Sequence, residues 1–114
     1  VARLPGFHQA QIDRSKLSEY LLSDVHPVGR SKELFFRLQG YSRRDPARLE
    51  SDLRALIAWS DAVSAGTSEY GTKYLVSGRL DAPAGRSPRI LTVWMVLTGE
   101  QHPRFVTAYP ESWP

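Results

Sequence analysis

The stretch "HPVGRSK" sets His26, Arg30 and Lys32 within seven residues. An imidazole that titrates near neutrality can take or give a proton at physiological pH. A guanidinium fork and an ammonium point charge beside it can hold phosphate oxygens. The following residues, "SKELFFRLQG" (31–40), read as a short helix with Ser31 as its candidate N-cap. The first amides of that helix would add an anion-binding terminus to the two cations. Together these groups point to acid–base chemistry on a phosphate ester. The structural alternative is a His26 that bonds local backbone in a turn.

A second set lies near the C-terminus. "RILTVWMVL" (89–97) and "RFVTAY" (104–109) alternate as strands across the turn "TGEQHP". Side chains alternate between the faces of a strand. Leu91, Val93, Met95 and Leu97 form one unbroken apolar face, expected under the helices with Val106 and Ala108. The outer face would then carry Thr92, Trp94, Thr107 and Tyr109, beside Ile90, Val96 and Phe105. Aromatic platforms flanked by arginine stack on bases and hold phosphates. The same cross-strand pairs also stabilise a sheet that binds nothing. Strict alternation sends Arg104 to the core side, although a bulge after Pro103 would redirect it. A third cluster, "EYGTKY" (69–74), has Gly71 marking a close backbone approach. Tyr70 and Lys73 there either reach an anion or cover the sheet edge.

The three histidines are isolated in sequence, and there is no cysteine. No ligand spacing for a metal is present, and "GRSK" lacks the glycine spacing of a P-loop. The expectation is a site without metal or cofactor.

The elements that must position these residues are legible. "DRSKLSEYLLS" (13–23) starts with Asp13 and Ser15 as caps, and Leu17, Tyr20 and Leu21, widened by Leu22, form a helical stripe. Pro27 and Gly29 break it. In the helix 31–40, Leu34, Phe35 and Leu38 are expected to face inward, with Gly40 as the C-terminal stop. "RDPARLESDLRALIAWSDAV" (44–63) is the clearest helix: Asp45 caps it, Pro46 takes its first position, and Leu49, Leu53, Leu56 and Ile57 recur at helical spacing. Glu50 and Arg54 pair at i,i+4. After this the period changes to two. "TKYLVSGRLDA" (72–82) places Tyr74, Val76 and Leu80 on one face and Leu75, Ser77 and Arg79 on the other. Helices first and strands last imply an α+β domain, with about three N-terminal helices on one face of a C-terminal antiparallel meander.

A length of 114 residues suits a single domain over 1–114. The charge is +3, and of fifteen basic residues only Lys16, Lys32 and Lys73 are lysine. That balance fits an anionic partner without requiring one. No apolar run approaches the ~18 residues of a membrane span. The N-terminus lacks the apolar core of a signal peptide. The expected location is the cytoplasm, or a target cell's cytoplasm if the chain is a delivered toxin module.

Four stretches, "YLLSDVHPVGRSKELFF", "EYGTKYLVSGRL", "GRSPRILTVWMVL" and "HPRFVTAYP", together resemble an uncharacterised bacterial domain family found alone and in toxin-like genes. The resemblance spans residues 11–110. That family in turn looks like the barnase/EndoU/colicin/RelE-like (BECR) ribonuclease toxins. The resemblance implies metal-independent RNA cleavage by attack of a ribose 2′-hydroxyl on the adjacent phosphate. It implies His26 as acid or base, with Lys32 and Arg104 stabilising phosphate charge and Thr107 and Tyr109 at the reacting group. It also implies Arg30, Thr92 and Trp94 as substrate-binding residues, Trp94 by stacking on a base, and Tyr70 and Lys73 of the third cluster are expected to bind substrate with them. RNA is then the substrate, and a cognate antitoxin or immunity protein is the expected protein partner. Two other readings compete. A non-catalytic RNA- or protein-binding module would use the aromatic face without His26. An immunity protein of a nuclease would ordinarily be acidic, and this chain is basic.

Overall fold

Leu49, Leu53, Leu56 and Ile57 are all buried along one side of a helix that runs from Pro46 to Trp59. A computed structural model of the chain describes residues 2–18, 22 and 30–111, with backbone alone at Arg30 and Ser31. The described helices are a 3-10 turn at Phe7–Gln9, a single turn α1 (Arg14–Lys16), α2 (Arg30–Leu38) and α3 (Pro46–Trp59). The strands are β1 (Ala62–Ser68), β2 (Gly71–Arg79), β3 (Arg89–Leu97) and β4 (Arg104–Pro110). They form one antiparallel meander in the order β1-β2-β3-β4. The expected α+β class, with helices before a meander sheet, is the observed one.

Asp13 caps α1 by accepting the Ser15 amide at 2.9 Å. Leu17 and Leu22 are buried, whereas Tyr20 and Leu21 of the expected stripe lie outside the described residues. Pro46 opens α3, where its fixed φ costs nothing and its missing N–H is not needed. Asp45 precedes it without a side-chain cap bond. Glu50 bonds Arg54 at 3.0 Å and Arg14 at 2.9 Å, tying α1 to α3. Burial opposes ionisation of Glu50, but the two arginine bonds outweigh it and hold the carboxyl below its ordinary value.

Two expectations about helices need correction. The helix read over 44–63 stops at Trp59, and Ala62 and Val63 belong to a strand. That strand, β1, is built of small residues with Gly66 inside and is almost wholly exposed. It carries no alternating pattern, and its conformation comes from pairing with β2. In α2, Leu34 and Leu38 are exposed, at 49% and 59%. The inward face is rotated to Lys32, Glu33, Phe36 and Gln39, because Phe36 is the side chain that reaches the core. Ser31, the expected cap, lies inside the helix, which already begins at Arg30.

Gly40 ends α2 as expected. Its φ is 96°, and the Tyr41 amide reaches back to the Phe36 carbonyl at 3.1 Å while the Gly40 amide bonds Arg37 at 2.9 Å. This is the paired closure of a Schellman motif, which calls for a left-handed residue at that position. A Cβ on Gly40 would also sit 2.8 Å from the Ala84 amide nitrogen. Gly40→Ala is therefore expected to cost more than ~1 kcal/mol. The readout is a lower urea midpoint with an unchanged slope, and a wild-type midpoint would contradict the account.

The core lies between α3, the N-terminal segment and one sheet face. Residues 2–12 cross that face, bridging Ala2 to Ala62 at the β1 edge and Gln11 to Arg104 at the β4 edge. Leu4, Ala10 and Ile12 are buried on the way. The β3 side chains on this face are Ile90, Thr92 and Trp94, all fully buried. The expectation had these residues outward and Leu91, Val93, Met95 and Leu97 inward, so the faces of β3 are reversed. Register explains the reversal. Tyr74, Val76 and Gly78 of β2 pair with Trp94, Thr92 and Ile90, so the inward face of β2 fixes that of β3. In β4 the register slips between Val93 and Trp94, whose partners are Thr107 and Phe105. Val106 is the extra residue of the bulge and is 36% exposed instead of buried. Phe105 and Ala108 thus face the core, and Arg104, Thr107 and Tyr109 face away.

Candidate functional site

The sheet face turned away from α3 can be laid out in rows from the register. Lys73, Met95 and Arg104 form one row, and Leu75, Val93 and Thr107 the next. Ser77, Leu91 and Tyr109 form a third, and Arg79 pairs with Arg89 beyond it. Strands are ~4.8 Å apart, which puts the backbones of Lys73 and Arg104 ~10 Å apart across Met95. The face is an apolar floor with cationic residues at both ends. A low-dielectric floor strengthens the field of charges at its rim.

Helix α2 sets one further cation on this floor. Its Phe36 is locked in the core, packed edge-on against Tyr41. Phe35 sits beside Pro88, Arg89, Pro110 and Glu111, where β3 starts and β4 ends. Lys32, about one turn earlier, is only 7% exposed. Its Nζ donates to Thr107 Oγ1 at 3.0 Å and lies 5.6 Å from the centre of the Tyr109 ring. A helix residue and two strand residues some 75 positions later thereby share one contact set. A largely desolvated ammonium beside a hydroxyl and a phenol can stabilise developing negative charge on a bound phosphoryl group.

In the row next to Thr107, Arg104 forks onto Glu100, with Nε at 3.1 Å and Nη2 at 2.8 Å. His102 Nε2 lies 3.0 Å from the same carboxylate. The Arg104 hydrogen bond holds the Glu100 carboxyl below its ordinary value, against a smaller opposing effect of burial. Glu100 and His102 were not singled out from the sequence. Their signal is the every-second-residue run Glu100, His102, Arg104, which gathers an acid, an imidazole and a guanidinium at one hairpin.

The remaining expected residues fall as follows. Lys73 is exposed on the floor, and Tyr70 is 72% exposed at the turn between β1 and β2. Gly71 makes the anticipated close approach, since a Cβ there would run into the Val96 carbonyl. Thr92 and Trp94 are not on the open face. Thr92 Oγ1 donates to the Val76 carbonyl at 2.7 Å and accepts from Trp94 Nε1 at 2.8 Å. Trp94 packs edge-on against Phe105 at 5.3 Å. The pair forms a satisfied polar link inside the core, so Trp94 has no exposed ring to offer a base. His26 and the Arg30 side chain lie outside the described residues. Among the described residues, no three His, Asp or Glu side chains gather as a metal site would need. No described helix is long and apolar enough to cross a membrane.

The fold has a solved counterpart. A chain of the contact-dependent growth inhibition toxin–immunity protein complex from Klebsiella pneumoniae 342 superposes with a TM-score of 0.72. The match covers 94% of this chain and 97% of that one, at 17% identity. At that identity the likeness is one of fold. No protein of curated function matches the sequence. The model of the domain of unknown function DUF6883 matches residues 3–112, so the chain belongs to that family.

Proposed function

We propose that this chain is a metal-independent endoribonuclease, the toxin of a toxin–antitoxin or polymorphic-toxin system. The observation that carries the reading is the meeting of Lys32 with Thr107 and Tyr109 on the sheet face away from α3. Lys73 and Arg79, at the two ends of that face, suit an RNA backbone, while Arg104 and Arg89 are paired with Glu100 and Glu111. In the proposed reaction a base removes the 2′-hydroxyl proton and the 2′-oxygen attacks the adjacent phosphorus. The bond from phosphorus to the 5′-oxygen breaks, and an acid protonates that oxygen. The products are a 2′,3′-cyclic phosphate and a 5′-hydroxyl. Lys32 and Arg104 stabilise the charge that grows on the phosphoryl oxygens. Thr107 and Tyr109 orient that group, Arg30 and Lys73 hold flanking phosphates, and Tyr70 offers a face to a base. His26 serves as acid or base.

The structural neighbour supports a toxin context, because it comes from a complex of a toxin with an immunity protein. The net charge of +3 favours the toxin side of such a pair. A cognate antitoxin or immunity protein would then cover the cationic face. The test uses purified protein and total RNA with EDTA present, beside His26→Ala. New bands that disappear in the variant are expected. Bands of equal strength in both would remove His26 from the reaction. Intact RNA that the protein nonetheless binds would favour the non-catalytic module.

A further inference from the structure

A cavity of about 450 Å³ opens beside α2, lined by Glu33, Arg37, Tyr41, Ser42, Arg43 and Arg44, with the buried Leu22 at its back. Three guanidinium groups border one concave space. Arg37 is occupied, bonding Glu33 at 3.0 Å, which also neutralises the only carboxylate among the cavity's described lining. Tyr41 is occupied as well, donating to Asp52 at 2.7 Å. Burial, reinforced by that bond, pushes the Tyr41 phenol far above its ordinary value, so it stays neutral. The guanidinium groups of Arg43 and Arg44 bond no described residue. The next arginine along, Arg48, shows the contrast, since it bonds both Asp52 and the Asp81 carbonyl. The loop that carries Arg43 and Arg44 is fixed, with the Arg44 amide on Ser42 Oγ at 3.2 Å and the Asp45 amide on the Ser42 carbonyl at 3.0 Å.

We infer that this cavity is a phosphate-binding subsite for a nucleotide chain, with Arg43 and Arg44 as the binding forks. Two planar forks bordering one cavity can match phosphate oxygens bidentately. A bound phosphate would also relieve the repulsion between two neighbouring unpaired cations. Its volume is within the ~300–1,000 Å³ of ordinary ligand sites. The same helix α2 lines the cavity with Glu33 and Arg37 and sets Lys32 against the open sheet face. The subsite deepens the RNA reading but does not depend on cleavage.

The probe is a fluorescein-labelled single-stranded 2′-deoxy 12-mer, which cannot undergo 2′-hydroxyl attack. Anisotropy across a salt series compares wild type, Arg43→Ala/Arg44→Ala and the charge-matched control Arg3→Ala/Lys16→Ala, each first shown to be folded by circular dichroism. The cavity variant should bind about tenfold more weakly at low salt, and its log–log salt slope should fall by ~1.4, two phosphate contacts at ~0.7 each. The control should stay within about twofold. No binding by wild type, equal binding by wild type and the cavity variant, or an equal loss in the control overturns the subsite. A wild type that binds the 12-mer but cuts no RNA removes the ribonuclease reading and leaves the subsite standing. A cavity variant that binds and cuts like wild type does the reverse.

Discussion

Lys32→Ala is expected to reduce RNA cleavage by ~10²–10³-fold, the usual cost of losing one preorganised group that stabilises transition-state charge. Lys32 is 7% exposed, yet its ammonium is aimed at Thr107 and Tyr109 instead of at water. A phosphoryl group bound beside that ammonium would gain most from it when the negative charge on its oxygens peaks in the transition state. Truncation also leaves Thr107 Oγ1 without this donor, so a fall in stability must be separated from a fall in rate. Lys32→Met serves for that, since it keeps the packed stem and removes only the charge. Both variants should lose kcat far more than they raise KM. Thermal unfolding should show Lys32→Met close to wild type. A Lys32→Met chain that cleaves at the wild-type rate would remove the ammonium from the reaction.

Trp94→Ala has the largest expected effect on stability. The indole is fully buried, packs against Phe105 and donates to Thr92. Truncating a buried Trp typically costs ~3–5 kcal/mol. Since a domain has only ~5–15 kcal/mol in total, the variant should be marginal at 37 °C. The melting temperature should fall by more than about 10 °C. Trp94→Phe should be much milder, losing mainly the bond to Thr92, worth ~1 kcal/mol. Its RNA affinity should match wild type, because the ring is not on the open face. An RNA affinity weakened tenfold or more in a folded Trp94→Phe chain would return Trp94 to the binding surface.

The strongest periodic signals carried through to the fold. Leu49, Leu53, Leu56 and Ile57 define α3, and Gly40 ends α2 as its position suggested. The sheet's faces were less readable because β3 is apolar on both sides. Choosing the inward side by apolar continuity favoured Leu91, Val93 and Met95. The packing favours the larger Trp94 and Ile90, with the Thr92 hydroxyl satisfied by Trp94 and by the Val76 carbonyl. The alternation of β2, read correctly, fixes β3 only once the register is known. The bulge at Val106 shifts Arg104 to the open face, and no local residue announces it. β1 has no hydrophobic pattern to detect and exists through its partner. For the site, Lys32, Thr107 and Tyr109 were identifiable by type, but their meeting depends on where Phe36 anchors α2. Glu100 and His102 are not legible as site residues because Glu100 meets Arg104 and His102 only when the hairpin closes.

The central claim, that the open sheet face cleaves RNA without a metal, is tested most directly by analysing product ends. Wild-type protein is incubated in EDTA with pooled transfer, ribosomal and messenger RNA, and the cut ends are identified by mass spectrometry. The expected products carry 2′,3′-cyclic phosphate and 5′-hydroxyl ends. Ends carrying a 5′-phosphate and a 3′-hydroxyl, or no cleavage in any of the three pools, would contradict it.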